Sequence, residues 1–248
     1  MAGTNEPAGL WRLWRLPVES RLGRPADLDI DRVVAAALVL ADRDGLAGVT
    51  LPKVAESLGV TKMALYRYVG SKDELYILLA DAAMAPVPQP WSGMDWRAAL
   101  RAWAYANREV FRRHPWLAHL PTPGPPSGPN GIGWMDLALQ ALRETTLDWP
   151  SKVGVVALVG GWVRESAILE QDLADGRRGR QQSEVERDYG RALAELVAPE
   201  RFPEAARLFA SSAFEPDPAA DVDADFTFGL DTLLDGIAVR IERSNGNH

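Results

Sequence analysis

Apolar residues recur at helical spacing in segment after segment of the chain. Asp29 is suited to cap the first clear helix, and Gly45 ends it after Asp44. The pattern predicts a support helix over residues 29–44, whose stripe packs against the next two helices. Six apolar residues at i, i+3, i+4, i+7, i+8 and i+11 form that stripe: Ile30, Val33, Val34, Ala37, Leu38 and Ala41.

Two short helices around a glycine turn follow the support helix. The first runs from Thr50, its N-cap, to Leu58, and Gly59 permits the left-handed backbone that a tight turn needs. The second is predicted over residues 62–69 and is capped by Thr61. A small residue, a glycine four positions later and a buried leucine six positions after that are the spacing of a helix-turn-helix.

The outward face of this second helix favours DNA binding. It carries two tyrosines, a methionine, an alanine, Lys62 and Arg67, and it has no acidic residue. Small apolar groups suit thymine methyls, whereas hydroxyls and cations suit phosphates. Helix pairs with a glycine turn are common, so their spacing alone is weak evidence for DNA binding. The composition of the outward face strengthens that prediction. Ser71 can cap a further helix that runs to about Met84.

The net charge of −7 counts, by itself, against a nucleic-acid-binding protein. Residues 1–80, however, hold 10 basic and 10 acidic residues, and residues 11–72 hold 10 basic and 7 acidic ones. The acidic excess therefore belongs to residues 81–248, although an ordinary surface with uneven charge would give the same counts.

Composition restricts the remaining function classes. The chain has no cysteine, which excludes disulfides and cysteine-ligated metals and fits a reducing cytoplasm. The longest apolar stretch, around residues 153–162, is too short to span a bilayer, and the N-terminus lacks the apolar region of a signal peptide. There are three histidines and no HExxH, GxSxG, phosphate-loop or dinucleotide fingerprint, so we expect neither an enzyme nor a cofactor.

A proline-containing linker over residues 85–93 precedes a second helical region. A proline-rich stretch over 121–129 and a charged loop over 175–182 are predicted to be irregular. The final helix carries more large apolar residues than one intramolecular face needs, which predicts a partner surface. The helices predicted in this region cover residues 96–114, 130–146, 151–173, 183–197, 199–212 and 225–243.

The segment GVTKMALYRYVGSKDEL, residues 59–75, resembles the recognition segment of the TetR (tetracycline repressor) family, with Leu65, Tyr66, Tyr68 and Lys72 in register. The resemblance implies an all-α homodimer with a three-helix head, a connecting helix and a larger ligand-binding and dimerisation domain. The corresponding ranges are an arm over 1–24, a head over 25–72, a connecting helix and linker over 73–90 and a body over 91–248. The DNA-binding candidates are Thr50, Lys53, Thr61, Lys62, Met63, Ala64, Tyr66, Arg67, Tyr68 and Lys72.

The resemblance implies that Thr50 and Lys72 contact phosphates and that Lys62, Met63 and Ala64 face bases. It also implies that Tyr66, Arg67 and Tyr68 touch the DNA backbone or bases. Pro52 stands where the tetracycline repressor uses a basic side chain to contact a base, so the operator sequence is not carried over. The body is similar to the tetracycline repressor subgroup, in which a magnesium–drug complex contacts positions matching His119 and Glu170. Trp103 replaces a drug-contacting Asn of that subgroup, so a magnesium–tetracycline effector and a metal site are not expected.

Tryptophans predict a different effector. Several aromatic residues fall on body helices that surround a cavity in the fold implied by the resemblance. Aromatic stripes are usually core, but a cavity with such walls and a few polar anchors would suit a large, flat, apolar ligand. The candidate effector residues are Trp103, Asn107, Phe111, His119, Trp134, Gln140, Trp162 and Glu170.

The predicted function is therefore a repressor that binds a palindromic double-stranded DNA operator as a cytoplasmic homodimer and is released by a small, largely apolar effector. One alternative is a DNA-binding regulator without a small-molecule effector, and another is an enzyme or carrier with a vestigial head.

The stretch over residues 10–24 mixes arginines with Trp11 and Trp14. It is either a basic arm that reaches DNA or a helix that packs its tryptophans on the body.

Overall fold

The computed structural model describes residues 10–16, 28–121, 124–215 and 223–246. The regular elements of these residues are helices, and the described ranges contain no strand, which confirms the predicted all-α class. The chain divides into two compact units: one comprises the described residues up to Ala167 and those from Leu230 onward, and the other is Ile168–Gly229. Arg21 and Arg24, two of the arginines in the stretch over residues 10–24 that would form a basic arm, lie outside the described residues. The division into arm, head, connector and body stays a prediction.

The N-terminal part of the first unit is a small helical head followed by a connecting helix. Asp29 caps its support helix by accepting a hydrogen bond from Arg32 N (2.8 Å), and Gly45 ends it, both as predicted. The support helix packs against the first of the two helices around the glycine turn and against the connector, and the second helix of the turn packs against the first. The helices are α1 (Leu10–Leu13), α2 (Ile30–Asp44), α3 (Leu51–Ser57), α4 (Lys62–Leu65) and α5 (Lys72–Ala83).

Helix α4 is shorter than the predicted range of 62–69. After Leu65 the chain continues in tighter turns, in which Arg67 N donates to Ala64 O and Tyr68 N donates to Leu65 O. The chain has little room to continue as a helix because Ser71, in an extended conformation, already caps α5 through Glu74 N. The recognition element is thus one helical turn followed by a compact bend.

The rest of the first unit is built on α6 (Trp96–Arg113), with Leu100, Ala104 and Val110 fully buried. A 3₁₀ turn, Pro115–His119, follows α6 and also packs against α2. Helix α7 (Pro129–Ala141) packs on α6 and ends five residues before the predicted boundary. There the hydroxyl of Thr145 donates to Leu142 O (2.7 Å), a local bond that competes with helix continuation.

Two long helices are each divided between the two units. Helix α8 (Trp149–Gly176) contributes its residues up to Ala167 to the first unit, and α11 (Ala224–Asn245) contributes those from Leu230. Leu230, Leu234 and Ile237 of α11 are buried. In the described part of the chain, the helices are all too short or too polar to cross a membrane.

The second unit contains the end of α8, then α9 (Gln182–Leu196) and α10 (Pro203–Phe209), followed by a 3₁₀ turn, Ser212–Phe214. Its packing rests on three aromatic rings, Tyr189, Phe209 and Phe214, whose centroids lie 5.3–5.7 Å apart. Helix α8 extends three residues beyond its predicted end. The charged loop predicted over 175–182 is shortened to residues 177–181 as a result.

Candidate nucleic-acid interface and effector region

The turn between α3 and α4 fixes the two helices as a unit. Gly59 has φ +66°, a backbone conformation that a side chain would strain, and Val60 N donates to Ala55 O (3.0 Å) across the turn. Leu65 and Val69 are fully buried beneath it. The outward face of α4 is therefore held by a packed base, as the helix-turn-helix spacing predicts.

Two of the candidate DNA-binding hydroxyls are helix caps. Thr50 Oγ1 accepts from Lys53 N (3.4 Å), and Thr61 Oγ1 accepts from Ala64 N (3.3 Å). A threonine hydroxyl that accepts a bond still has its own O–H to donate. Both residues can therefore cap their helices and donate to a phosphate oxygen.

The exposed face of α4 and the following bend presents the chemistry expected of a groove-binding surface. Met63 is 74% exposed and Tyr66 40% exposed, and Lys62 and Arg67 are also exposed. Lys62 Nζ lies 5.7 Å from the centroid of the Tyr66 ring, within the range of a cation–π contact. Ala64 and Tyr68 are half-buried, at the edge of this face.

Cations flank this surface on the neighbouring helices. Lys53 is exposed on α3, and Lys72 begins α5 with its Nζ 5.0 Å from the Tyr76 ring centroid. In the described ranges, neither Lys72 nor Arg67 is in an ion pair with a carboxylate. The structure thus places all ten candidate DNA-binding residues between the start of α3 and the start of α5, with their cations available for phosphates.

Helix α5 is joined to the body through Asp81. Its Oδ1 accepts from Gly131 N (2.9 Å), and its Oδ2 accepts from Asn130 Nδ2 (3.1 Å) and from Asn130 N (3.4 Å). A carboxylate at the start of α7 is stabilised by the unpaired N–H groups and the dipole of that helix. Gly128 leaves the space for it, because a Cβ at Gly128 would lie 2.2 Å from Asp81 Oδ1.

A second joint connects the support helix with the end of α6. Asp42 Oδ1 accepts from the indole Nε1 of Trp116 (2.7 Å) and lies 2.7 Å from His114 Nδ1. Sequence reasoning assigned no role to Asp42 or Asp81. An acid on an amphipathic helix has the same local pattern whether it faces water or a donor that is 49 to 74 residues away in the chain.

Two predicted effector residues, Trp103 and Trp134, are buried and form a hydrogen-bond relay, in which each indole N–H donates to a backbone carbonyl of another element. Trp103 is 3% exposed, and its Nε1 donates to Trp134 O (2.8 Å). Trp134 is also 3% exposed, and its Nε1 donates to Met84 O (2.7 Å) at the C-terminus of α5. The rings meet edge to face with centroids 6.3 Å apart. Both indole N–H groups are therefore used within the protein, and they connect α6, α7 and α5.

The other candidate effector residues differ in exposure. Asn107 and Phe111 are buried on α6, and Trp162 is half-buried on α8. His119 is exposed at the end of the 3₁₀ turn, and Glu170 is exposed in the second unit. The segment at His119 is tied to α8, because the Arg164 guanidinium donates to the carbonyls of Ala118 (2.9 Å) and Leu120 (2.7 Å).

A cavity of about 500 Å³ lies between the linker, the start of α6 and the ends of α7 and α11. Gln140 is the single candidate effector residue in its lining, and its amide Nε2 donates to Asp136 (2.6 Å). A second hollow of about 470 Å³ has Asp148 and Ser151 at its edge. Hydrogen bonds from the Ser151 side chain and backbone hold the pKa of Asp148 below its ordinary value.

Comparison with known proteins identifies two family matches that together cover most of the chain. Residues 33–79 match the family of bacterial regulatory proteins, tetR family, and residues 88–241 match the tetracyclin repressor-like, C-terminal domain. The first range contains α3, α4 and most of α5, so it includes the candidate DNA-binding surface.

Individual relatives match over nearly the full length. The HTH-type transcriptional repressor DrrR1 of Streptomyces coeruleorubidus is 35% identical over 259 residues, covering 99% of this chain and 93% of the relative. The tetracycline repressor protein class A from transposon 1721 of Escherichia coli is 28% identical, covering 86% and 92%. The Streptomyces coelicolor TetR family protein ActR in complex with actinorhodin superposes with a TM-score of 0.71 at 28% identity, covering 86% and 96%.

Proposed function

Because the chain belongs to the TetR family of ligand-responsive, DNA-binding transcriptional regulators, we propose that it represses transcription as a homodimer. It binds a pseudo-palindromic operator and leaves the operator when a flat, largely apolar effector binds. The observation that carries this proposal is the acid-free, cationic and hydroxyl-bearing face of α4, held on a packed helix-turn-helix. The family is one of transcriptional regulators and not of enzymes, and its DNA partner supports a cytoplasmic location.

Two helices support the homodimer. On α8, Gly154, Leu158 and Gly161 are exposed at i, i+4 and i+7, and a Cβ at either glycine would meet nothing within 4 Å. On α11, Gly236 and Val239 are exposed, and a Cβ at Gly236 would also meet nothing within 4 Å. Such apolar faces, in which glycines alternate with larger apolar side chains, suit close approach of a second copy. A dimer would place two α4 helices on half-sites about 34 Å apart.

The dimer is tested by sedimentation or light scattering of the wild-type chain and of Leu158→Glu. The introduced carboxylate would be buried without a partner in the proposed interface, so we expect the variant to dissociate into monomers. Val39→Glu is the control, because Val39 is also exposed (64%) but lies on α2 of the head. A monomeric wild-type chain, or a Leu158→Glu dimer as stable as the control, would contradict the proposed interface.

DNA binding is tested with operator duplexes selected from random sequence. Lys72→Ala should weaken binding and lower the slope of log K against log salt by about 1 for each protomer, because one phosphate contact is lost. Tyr66→Ala should weaken binding with a smaller change in slope. The matched control is Lys152→Ala, which removes the same charge from α8 of the body. Failure of the wild-type chain to select any sequence would refute the proposal.

The effector is proposed to act on the aromatic residues of α6, α7 and α8. A ligand that displaces Trp103 or Trp134 also disturbs the hydrogen bond to Met84 O, and Met84 follows the helix that begins at Lys72. The resulting coupling between effector and operator should be about 1–3 kcal/mol and must be reciprocal.

Actinorhodin, which is bound by the relative ActR, is a suitable first probe. We expect it to quench tryptophan fluorescence and to release the operator in a gel-shift assay. Trp162→Phe should weaken the response, whereas Trp149→Phe, at a 69% exposed position of the same helix, should not. A panel of flat aromatic ligands that neither quenches fluorescence nor releases DNA would favour a regulator without a small-molecule effector.

A further inference from the structure

The N-terminal arm is docked on the protein along residues 10–16. Leu13 is 4% exposed, whereas Trp11 and Trp14 on either side are 40% and 44% exposed. The short helix α1 packs against α5, and the Arg12 guanidinium lies 4.4 Å from the Trp11 ring centroid. The buried leucine between exposed tryptophans indicates a specific contact.

Arg12 and Glu74 form the centre of this contact. Arg12 Nη1 donates to both carboxylate oxygens of Glu74, at 2.6 and 2.7 Å, and the two side chains are only 19% and 15% exposed. Glu74 Oε2 also accepts from Gly70 N (2.7 Å), in the bend that joins α4 to α5. Arg12 therefore neutralises and orients the carboxylate that fixes this bend, two residues from Lys72.

The arm has two further anchors. Arg15 Nε donates to Asp31 Oδ1 (2.6 Å) on α2, and Trp14 Nε1 donates to Ser127 O (2.8 Å). Ser127 directly precedes Gly128, the N-cap residue of α7. The seven residues thus contact the support helix, the connecting helix and the segment before α7.

We propose that residues 10–16 are a strap that holds the bend between α4 and α5 in its DNA-binding conformation, with Arg12 as a positioning residue that acts through Glu74. This inference rests on the proposed function. Without Arg12, Glu74 is an unneutralised carboxylate beside the phosphate-binding lysine, and its bond to Gly70 N lacks support. Operator affinity should then fall by about fivefold to thirtyfold.

Docking of the arm can be tested without DNA, because the chain has no native cysteine. Leu13→Cys and Trp11→Cys variants are labelled with a maleimide, and we expect Leu13→Cys to react at least tenfold more slowly. Adding Arg12→Ala to Leu13→Cys should raise its rate to that of Trp11→Cys. Adding Trp14→Phe, which removes the indole N–H of that anchor together with part of the ring, should raise the rate several-fold. Equal rates for the two single-cysteine variants would overturn the strap.

The role of Arg12 is tested by operator affinity across a salt series for Arg12→Ala, Arg12→Lys and the charge swap Arg12→Glu with Glu74→Arg. A positioning role predicts weaker binding of Arg12→Ala with an unchanged salt slope, and near wild-type binding of the other two. A direct phosphate contact would instead lower the slope by about 1 for each protomer, and the swap would not restore binding. That result, or wild-type affinity of Arg12→Ala, would overturn the inference.

Circular dichroism checks that each variant folds. If the charge swap does not fold, Arg12→Lys still tests whether a cation at position 12 is sufficient for operator binding. The two assays separate the possible failures. If the wild-type chain binds no duplex, the proposed function fails, while thiol labelling still decides whether the arm is docked. If the wild-type chain binds and the Arg12 variants bind equally well, only the strap fails.

Discussion

Gly128→Ala tests the joint between the connecting helix and α7 most directly. The new Cβ would lie 2.2 Å from Asp81 Oδ1, 2.3 Å from its Cγ and 2.9 Å from its Cβ. Rotation of the Asp81 side chain about its Cα–Cβ bond moves Oδ1 and Cγ away but leaves Cβ in place, so the start of α7 must also move. The change therefore costs the helix cap, about 1 kcal/mol, and adds overpacking of about 1–3 kcal/mol.

We expect Gly128→Ala to lower the free energy of unfolding by about 2–4 kcal/mol. Asp81→Ala removes the cap without the clash and should cost less, about 1–2 kcal/mol. Gly124→Ala is the matched control, because a Cβ there meets nothing within 4 Å, and its change should stay within about 0.5 kcal/mol.

Urea unfolding followed by circular dichroism measures all three variants, at one protein concentration because oligomer stability depends on it. If Gly128→Ala were as stable as Gly124→Ala, Asp81 would not be held against the start of α7. If it cost less than Asp81→Ala, overpacking would not contribute and the geometric reasoning would be wrong.

Three further changes test the other joints and the start of α8. Asp42→Ala leaves the Trp116 indole without its acceptor, and should lower the free energy of unfolding in urea by about 1–2 kcal/mol, whereas a loss below about 0.5 kcal/mol would contradict the joint. Trp103→Phe removes the buried donor to Trp134 O together with ring volume and should cost about 1–3 kcal/mol in the same assay; an unchanged midpoint would refute the relay. The lowered pKa of Asp148 means that its carboxylate stabilises the fold above the ordinary aspartate pKa, and that this contribution is lost as pH falls through the lowered value. Asp148→Ala should therefore lower the melting temperature near neutral pH, with a deficit that shrinks below about pH 4, and a deficit independent of pH would oppose this assignment.

Local patterns were sufficient to predict most of the head. The Asp29 cap and the Gly59 turn depend on residues within a few positions of one another, and both were found where the sequence indicates. Of the predicted stripe on α2, Val33, Val34, Ala37 and Ala41 are buried, whereas Ile30 and Leu38 are half-buried and Leu40, which lies outside the predicted stripe, is buried. Helix ends were harder to predict. Helix α4 stops at Leu65, and α7 stops before Thr145, because side-chain and turn hydrogen bonds compete with the next helical turn.

The joints could not be predicted from the sequence, because they depend on residues that only the tertiary structure brings together. Asp42 meets Trp116 across 74 positions, and Asp81 meets Asn130 across 49. The same limit applies to the predicted effector residues. Tryptophan composition indicated an aromatic region, but it does not reveal that Trp103 and Trp134 donate their indole N–H groups to backbone carbonyls.

The chemistry of the joints sets how easily the head can be released from the body. The connecting helix is held near its start by Glu74 and Arg12, and near its end by Asp81 and by the bond from Trp134 to Met84 O. Each of these is a hydrogen bond or ion pair at a part-buried site, worth about 0.5–3 kcal/mol net. If an effector breaks only the bonds at the end of α5, the free energy that holds the head to the body changes by about 1–3 kcal/mol, which is the size of a typical allosteric coupling. The bonds at its start would stay intact, so we expect the head and α5 to move together and the geometry of the DNA-binding face to be preserved.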